Sequence, residues 1–148
     1  MTFRMATLSD VESILALMAG YYSQDEYEFV EAVSRRALID LLDNVHLGQV
    51  WVVEDAEGVM GYLAVTFGYS LEYRGRDAFI DELFLHERGR GQGAGREALA
   101  IAEAYCRARG VRALHLEVEP HRTSAFELYR ASGFEDHDRR LMTKRLAR

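Results

Sequence analysis

Cysteine, lysine and proline are almost absent from this chain of 148 residues, and each shortage excludes a class of protein. Cys106 is the only cysteine, so the sequence can form neither an internal disulfide framework nor a cysteine-based zinc site. Lys144 is the only lysine, which excludes the Walker-type phosphate loop because that loop requires Gly-Lys-Ser/Thr. With Pro120 as the only proline, a proline-rich linker is excluded as well.

Long hydrophobic runs are also missing. No stretch approaches the ~20 apolar residues that cross a bilayer, and residues 1–10 lack the charged-then-apolar order of a signal peptide. The net charge is −6, so the chain as a whole does not offer the basic field on which nucleic-acid binding rests. The histidines show no metal-ligand spacing. We therefore expect a cytoplasmic protein without metal, membrane or nucleic-acid partners.

What is present is the composition of one globular domain, which we predict to span residues 1–148. Hydrophobic side chains make up 49% of the chain and charged ones 28%, a balance that supports a single core. Periodicity and turn signals predict the order βααβββαβαβ. The predicted strands cover residues 2–5, 49–54, 59–67, 78–85, 111–118 and 141–146, and the apolar positions of the predicted helices cover residues 11–18, 29–42, 98–105 and 123–132.

Residues 86–95, His-Glu-Arg-Gly-Arg-Gly-Gln-Gly-Ala-Gly, follow a predicted strand and precede a predicted helix. A glycine-rich turn at that place directs free backbone N–H groups and the positive end of the helix dipole to one point, which is typical of an anion site. Small residues let an oxygen approach the amides. Positive charge comes from three nearby arginines: Arg88, Arg90 and Arg96. The segment therefore predicts a phosphate site.

The glycines alone leave two kinds of phosphate ligand open. Gly89-x-Gly91-x-x-Ala94 also satisfies the loose dinucleotide pattern, and Glu117 lies roughly where a ribose-binding acid falls. A dinucleotide fold, however, begins with its βαβ unit and continues with parallel strands, whereas here two helices and a hairpin come before the loop. We keep the dinucleotide site as the lesser alternative.

Two motifs in the right order resemble the GNAT superfamily of acetyl-CoA-dependent N-acetyltransferases. Residues 90–95, Arg-Gly-Gln-Gly-Ala-Gly, are similar to the family's Arg/Gln-x-x-Gly-x-Gly/Ala loop, and residues 81–85 before them resemble its fourth strand. Residues 116–119 resemble the fifth strand. Residues 128–134, Leu-Tyr-Arg-Ala-Ser-Gly-Phe, resemble the Leu-Tyr-x-x-x-Gly-Phe signature of the helix that follows.

The resemblance implies an α/β, GNAT-like acyl-CoA N-acyltransferase fold. It is a mixed, mostly antiparallel, twisted sheet flanked by helices, with the fourth and fifth strands splayed apart around the pantetheine arm of the cofactor. Arg122 stands where relatives often carry an asparagine and is the weakest expected contact. The residues that the resemblance assigns to acetyl-CoA are Leu83, Phe84, Leu85, Arg90, Gly91, Gln92, Gly93, Ala94, Gly95, Arg96 and Arg122.

The resemblance also implies catalytic roles for direct transfer to an amine. Tyr129 matches the tyrosine that protonates the departing sulfur, and Asp81 or Glu82 would act on the amine. Strand alternation predicts that Asp81 and Glu82 point to opposite faces and that Asp81 shares the face of Leu83 and Leu85. We therefore place Asp81 first and Glu82 second.

The acceptor is the least determined partner. Residues 21–31 combine tyrosines with acidic residues and would lie where the family forms its acceptor wall, which favours a small primary amine, polyamine-like molecule or peptide. A solvated acidic surface explains the same charges equally well. The alternative function is a non-catalytic acyl-CoA-binding sensor, and a homodimer is compatible with either.

Overall fold

The computed structural model describes residues 1–147, which form two compact units divided after Glu117. The first unit contains five strands and three helices. These are β1 (Thr2–Met5), α1 (Val11–Gln24), α2 (Glu31–Leu42), β2 (Gly48–Asp55), β3 (Gly58–Ser70), β4 (Gly75–Leu85), α3 (Ala94–Ala108) and β5 (Ala113–His115). The second unit contains α4 (Thr123–Ala131).

The five strands form one sheet in the order β1-β2-β3-β4-β5. The first four strands pair antiparallel, and only β4 and β5 pair parallel. This confirms the predicted mixed, mostly antiparallel sheet. It does not fit the dinucleotide alternative, which requires a predominantly parallel sheet.

The fourth and fifth strands separate soon after they meet. Their pairing runs only from Asp77 opposite Ala113 to Phe79 opposite His115, while β4 continues to Leu85. Within residues 1–147 no strand covers this edge of β4 beyond Phe79. The predicted splay is therefore present, and it leaves six residues of β4 with an uncovered edge.

Helices pack on both faces of the sheet because successive strand residues point to opposite sides. On one face, Val50 and Val52 lie in a buried cluster with Ile14 and Leu15 of α1 and Leu38 of α2. On the other face, the ring of Trp51 meets that of Tyr105 of α3 edge to face, with the centroids 4.9 Å apart. The alternation in β2 thus produces two hydrophobic layers.

Two strand predictions need correction. Residues 141–146 form no strand, and Leu141, Met142 and Leu146 are 69%, 89% and 90% exposed. An apolar run becomes a stable strand only where it pairs with a neighbour and buries a face, and this run does neither among the described residues. The fifth strand is also shorter than the predicted 111–118, because its parallel pairing ends at His115.

The end of the first helix also differs from expectation. The first helix continues through Gly20 to Gln24, since a single exposed glycine weakens a helix without ending it. None of the helices within residues 1–147 is long and apolar enough to cross a membrane.

The C-termini of α3 and α4 are closed by glycines in the left-handed region. At Gly110 φ is 71°, and the N–H groups of Val111 and Gly110 donate to the carbonyls of Cys106 and Arg107 at 3.0 and 3.2 Å. Gly133, with φ 96°, closes α4 with the same pair of bonds. This is the Schellman arrangement, in which glycine avoids the Cβ clash that other residues meet.

We predict that Gly110→Ala lowers the free energy of unfolding by about 1 kcal/mol, because alanine is strained at positive φ. The matched control is Gly20→Ala within α1, where a Cβ meets no atom within 4 Å. It should raise stability by about 0.5–1 kcal/mol, because alanine loses less backbone entropy than glycine on helix formation. Urea denaturation checks both values, and equal effects of the two variants would contradict the capping role.

Candidate active site

A β-bulge in β4 sets the position of the two predicted carboxylates. Ala64 of β3 lies opposite Glu82, whereas its neighbour Val65 lies opposite Ile80. Asp81 is therefore an extra residue with no partner across the strand pair. Bulges of this kind bend the strand and increase its twist.

The bulge removes the basis on which Asp81 and Glu82 were predicted to point to opposite faces. Ile80 and Leu83 lie opposite Val65 and Leu63, which share one face of β3, so they share a face although they are three residues apart. Simple alternation therefore cannot be carried across Asp81, and the predicted common face of Asp81 and Leu83 loses its basis. An alternating sequence pattern does not reveal an inserted residue, because the insertion is defined only by pairing with the neighbouring strand.

Glu82 lies on the face that carries α1 and α2, and both of its carboxylate oxygens accept hydrogen bonds. The hydroxyl of Tyr22, from α1, donates to Oε2 at 2.5 Å, and the hydroxyl of Tyr62, from β3, donates to Oε1 at 2.7 Å. Burial raises the pKa of Glu82, the two phenol hydrogen bonds oppose that rise, and the charge of Asp81 adds to it. The carboxylate is thus held in place by one residue of a helix and one residue of a strand.

Asp81 differs from Glu82 in having no hydrogen-bond or ion-pair partner within residues 1–147. Its side chain is exposed, yet enough protein surrounds it for desolvation to raise its pKa. Its charge also raises the pKa of Tyr22, which places it in the same electrostatic site as Glu82. Asp81 is therefore a carboxylate that can meet an incoming ligand.

The uncovered edge of β4 presents backbone groups beside these carboxylates. The N–H of His86 donates to the carbonyl of Met60 at 2.7 Å, and hydrogen-bonded pairs alternate along an antiparallel ladder. By this alternation Phe84 and Glu82 bond to β3, while the N–H groups of Leu83 and Leu85 point to the opposite, uncovered edge. An extended ligand can therefore bond there as an added strand would.

The glycine loop continues this edge into α3. Gly91 and Gly93 have φ values of 75° and 79°, and a Cβ at either would meet no atom within 4 Å. None of the N–H groups of residues 91–96 donates to a backbone carbonyl within residues 1–147. These donors and the N-terminus of α3 together form a site suited to a phosphate.

The three arginines around the loop have different surroundings. Arg88 was expected to add charge to the loop, but its guanidinium is held by Asp55 at 2.9 Å and Glu57 at 3.0 Å. Arg90 donates from Nε to the carbonyl of Leu85 at 3.0 Å. Arg96 lies exposed in the first turn of α3. The structure therefore leaves Arg90 and Arg96 as the cations of this loop.

The second unit holds the other two predicted site residues, both on α4. Arg122 is the N-cap of this helix. Tyr129 lies half-buried along it, and burial raises the pKa of its hydroxyl above the ordinary value, opposed by the charge of Arg122. Its ring meets that of Phe134 edge to face at 6.2 Å. At neutral pH the phenol is therefore protonated and able to donate.

The first unit thus brings together Asp81, Glu82, the edge at residues 83–85 and the loop at residues 90–96. Sequence reasoning missed the part played by Tyr22 and Tyr62. In the sequence, Tyr22 is one of several tyrosines in the acidic segment of residues 21–31, and Tyr62 is one position of the predicted strand 59–67. Their contacts with Glu82 span 60 and 20 residues of chain, and no local pattern carries such a signal.

Comparison with known proteins shows the family of this chain. The model of the acetyltransferase (GNAT) family matches residues 12–134. Uncharacterized N-acetyltransferase YycN of Bacillus subtilis (strain 168) is 37% identical over 149 residues, which cover 93% of each chain. Both matches extend over most of the sequence.

Solved structures share the fold. Integron cassette protein HFX_CASS3, from the mobile metagenome of Cole Harbour Salt Marsh, is 32% identical, with a TM-score of 0.88 over 99% of this chain and 91% of its own. A predicted acetyltransferase with acetyl-CoA from Clostridium acetobutylicum is 18% identical, with a TM-score of 0.83 over 97% and 95% of the two chains. Sequence and fold thus agree: the chain belongs to the acetyltransferase (GNAT) family and is an acetyl-CoA-dependent acetyltransferase.

Proposed function

We propose that the protein transfers the acetyl group of acetyl-CoA directly to the primary amine of a small, polyamine-like molecule or of a peptide. One observation carries this proposal: the uncovered edge of β4 begins at the carboxylates of Asp81 and Glu82 and ends at the glycine loop. A ligand whose phosphates sit in the loop and whose arm follows that edge ends in a thioester beside the carboxylates.

The cofactor would be held mainly by main-chain groups. The N–H groups of residues 91–96 would bind the pyrophosphate, with Arg90 and Arg96 supplying charge. The amides of Leu83 and Leu85 would bind the pantetheine arm as an added strand would. Arg122 departs from the family pattern, since it stands where relatives often carry an asparagine, and it remains a proposed phosphate contact.

Direct transfer requires a neutral amine, and Asp81 is the proposed acceptor of the ammonium proton. The amine nitrogen then forms a bond to the acetyl carbon and the C–S bond breaks. The sulfur takes a proton from Tyr129, and the second proton lost from nitrogen passes to solvent. Solvent returns a proton to Tyr129, and Asp81 releases its proton to solvent. The products are an acetamide, free coenzyme A and one released proton.

The acceptor is proposed to be cationic. Tyr22 bonds to Glu82 at 2.5 Å, so the end of α1 lies beside β4 and the acidic segment that follows it begins near the carboxylates. Three acidic residues occur in that segment: Asp25, Glu26 and Glu28. Such a cluster raises the local concentration of an ammonium ligand. A homodimer and a cytoplasmic location stay predictions of the sequence.

Isothermal titration with coenzyme A tests the cofactor site. Wild-type protein should bind, and Gly93→Ala should weaken binding about tenfold. Alanine favours negative φ, so the free loop would relax, and returning residue 93 to positive φ on binding would cost about 1–2 kcal/mol. Gly110→Ala is the matched control, since its φ is similar but it lies at the other end of α3. Unchanged binding in Gly93→Ala, or binding of NAD in place of coenzyme A, would contradict the proposed site.

Replacement of Asp81 tests the proton acceptor. Asp81→Asn should lower kcat by about 10²–10⁴-fold and leave coenzyme A binding unchanged. Desolvation raises the pKa of Asp81, so Asp81 becomes protonated at a higher pH than an ordinary aspartate. As the pH is lowered, the activity of the wild type should therefore begin to fall at that higher pH. Asp43→Asn, at the exposed C-terminus of α2, is the control. Wild-type turnover in Asp81→Asn would remove the proposed role.

Replacement of Tyr129 tests the proton donor. Tyr129→Phe should lower kcat about 10²-fold while the dissociation constant for coenzyme A changes little, and Tyr69→Phe, 76% exposed on β3, should have no effect. Release of free thiol from acetyl-CoA with a panel of amines and peptides measures turnover. Coenzyme A binding without turnover on any acceptor would identify the sensor function instead.

A further inference from the structure

The carboxylate of Glu82 is the meeting point of three elements. Its two oxygens accept from different phenols, Tyr22 on α1 and Tyr62 on β3, at 2.5 and 2.7 Å. A carboxylate bonded at both oxygens has little freedom to rotate, and hydrogen bonds to its ionised form stabilise the charge. Glu82 is thus built as a fixed anion, in contrast to Asp81.

The two phenols are anchored in different ways. Tyr62 is 1% exposed within the core, so its hydroxyl has a fixed position on the sheet. Tyr22 is packed edge to face against Tyr27 and Phe29, with ring centroids 5.9 and 5.7 Å apart. Both contacts come from the segment between α1 and α2, so the position of the Tyr22 hydroxyl depends on that segment.

We propose that Tyr22 and Tyr62 are positioning residues of the acceptor site, which hold Glu82 as a fixed anion for the ammonium group of the acceptor. Tyr22 joins this anion to the segment between α1 and α2. Asp81 is left unbonded beside it to take the proton. This assignment rests on the proposed function, because it concerns the amine that the enzyme acetylates.

The balance of forces on Glu82 makes the phenols necessary. Burial and the neighbouring charge of Asp81 favour the neutral carboxylic acid, and the hydrogen bonds from Tyr22 and Tyr62 favour the anion. These are the titratable groups that face Glu82, and Tyr21 of α1 acts on the two phenols from beyond them. Removal of either hydroxyl should therefore raise the pKa of Glu82, so that the anion is lost at a higher pH as the pH falls.

Carboxyl ¹³C NMR titration of Glu82 tests the hydrogen bonds directly, without the need for turnover. The pKa of Glu82 should rise in Tyr22→Phe and in Tyr62→Phe. Tyr105→Phe is the matched control, because its buried hydroxyl has no hydrogen-bond partner within residues 1–147 and it packs on the opposite face of the sheet, against Trp51. A thermal melt checks that each variant is folded. Because Tyr22 is only half-buried whereas Tyr62 lies in the core, Tyr22→Phe should disturb the fold less than Tyr62→Phe.

The pH dependence of kcat/KM for the amine tests the role in the reaction. In Tyr22→Phe the acidic limb should move to higher pH, so that kcat/KM on that limb falls about tenfold, the effect of one hydrogen bond to a charged group. Tyr105→Phe should retain the wild-type profile. The double variant Tyr22→Phe/Glu82→Gln should match Glu82→Gln alone, because the hydroxyl would act only through that carboxylate.

A residue that served only to pack the core would lower stability and leave both titrations unmoved, and that result would overturn the proposal. A raised pKa of Glu82 with an unmoved limb of kcat/KM would overturn it as well, because the anion would then play no part in acceptor use. Absence of turnover by the wild type on every amine would instead overturn the proposed function. The NMR titration would still decide whether the phenols hold the anion.

Discussion

A single extra residue in β4 controls the geometry of the site. Because Asp81 is inserted opposite the step from Ala64 to Val65, the residues that follow it are shifted by one position relative to those before it. Glu82 then faces the helices α1 and α2, where two phenols can reach it. The bend and added twist of a bulge also favour the separation of β4 from β5. The bulge at Asp81 lies two residues beyond Phe79, where the pairing of β4 with β5 ends.

The site combines rigid and free groups in a way that suits acyl transfer. Main-chain N–H groups at the edge of β4 and at the start of α3 are fixed by the ladder and the helix, so they can bind a ligand without reorganisation. Glu82 is fixed by Tyr22 and Tyr62, whereas Asp81 is unbonded and exposed. The pKa of both carboxylates is raised. Two neighbouring carboxylates in different environments can therefore serve different roles.

Sequence motifs and structural needs coincide at the glycines. Gly93 starts α3 at positive φ, and Gly110 ends it in the same region. Gly133 in the Leu-Tyr-x-x-x-Gly-Phe signature closes α4, and the N–H of Phe134 donates to the carbonyl of Tyr129 at 3.1 Å. Part of that signature is therefore explained by helix capping, which requires only local chain geometry. A Cβ at Gly91 or Gly93 would meet no atom within 4 Å, and the same holds at Gly110 and Gly133. The loop glycines differ in that none of the N–H groups of residues 91–96 donates to a backbone carbonyl within residues 1–147.

Local patterns predicted the order of most elements, the mostly antiparallel sheet and the glycine loop between β4 and α3, because periodicity, caps and glycine turns act over a few residues. They failed for residues 141–146, because a sequence with strand-like composition does not form a stable strand without a neighbouring strand to pair with. They also could not reveal the bulge at Asp81, since a bulge is defined by the neighbouring strand. Only the tertiary structure determines the hydrogen bonds from Tyr22 and Tyr62 to Glu82. The same is true of the ion pairs that hold Arg88 away from the loop. These contacts join residues 20 to 60 positions apart, and only packing of the whole sheet brings such groups within hydrogen-bond distance.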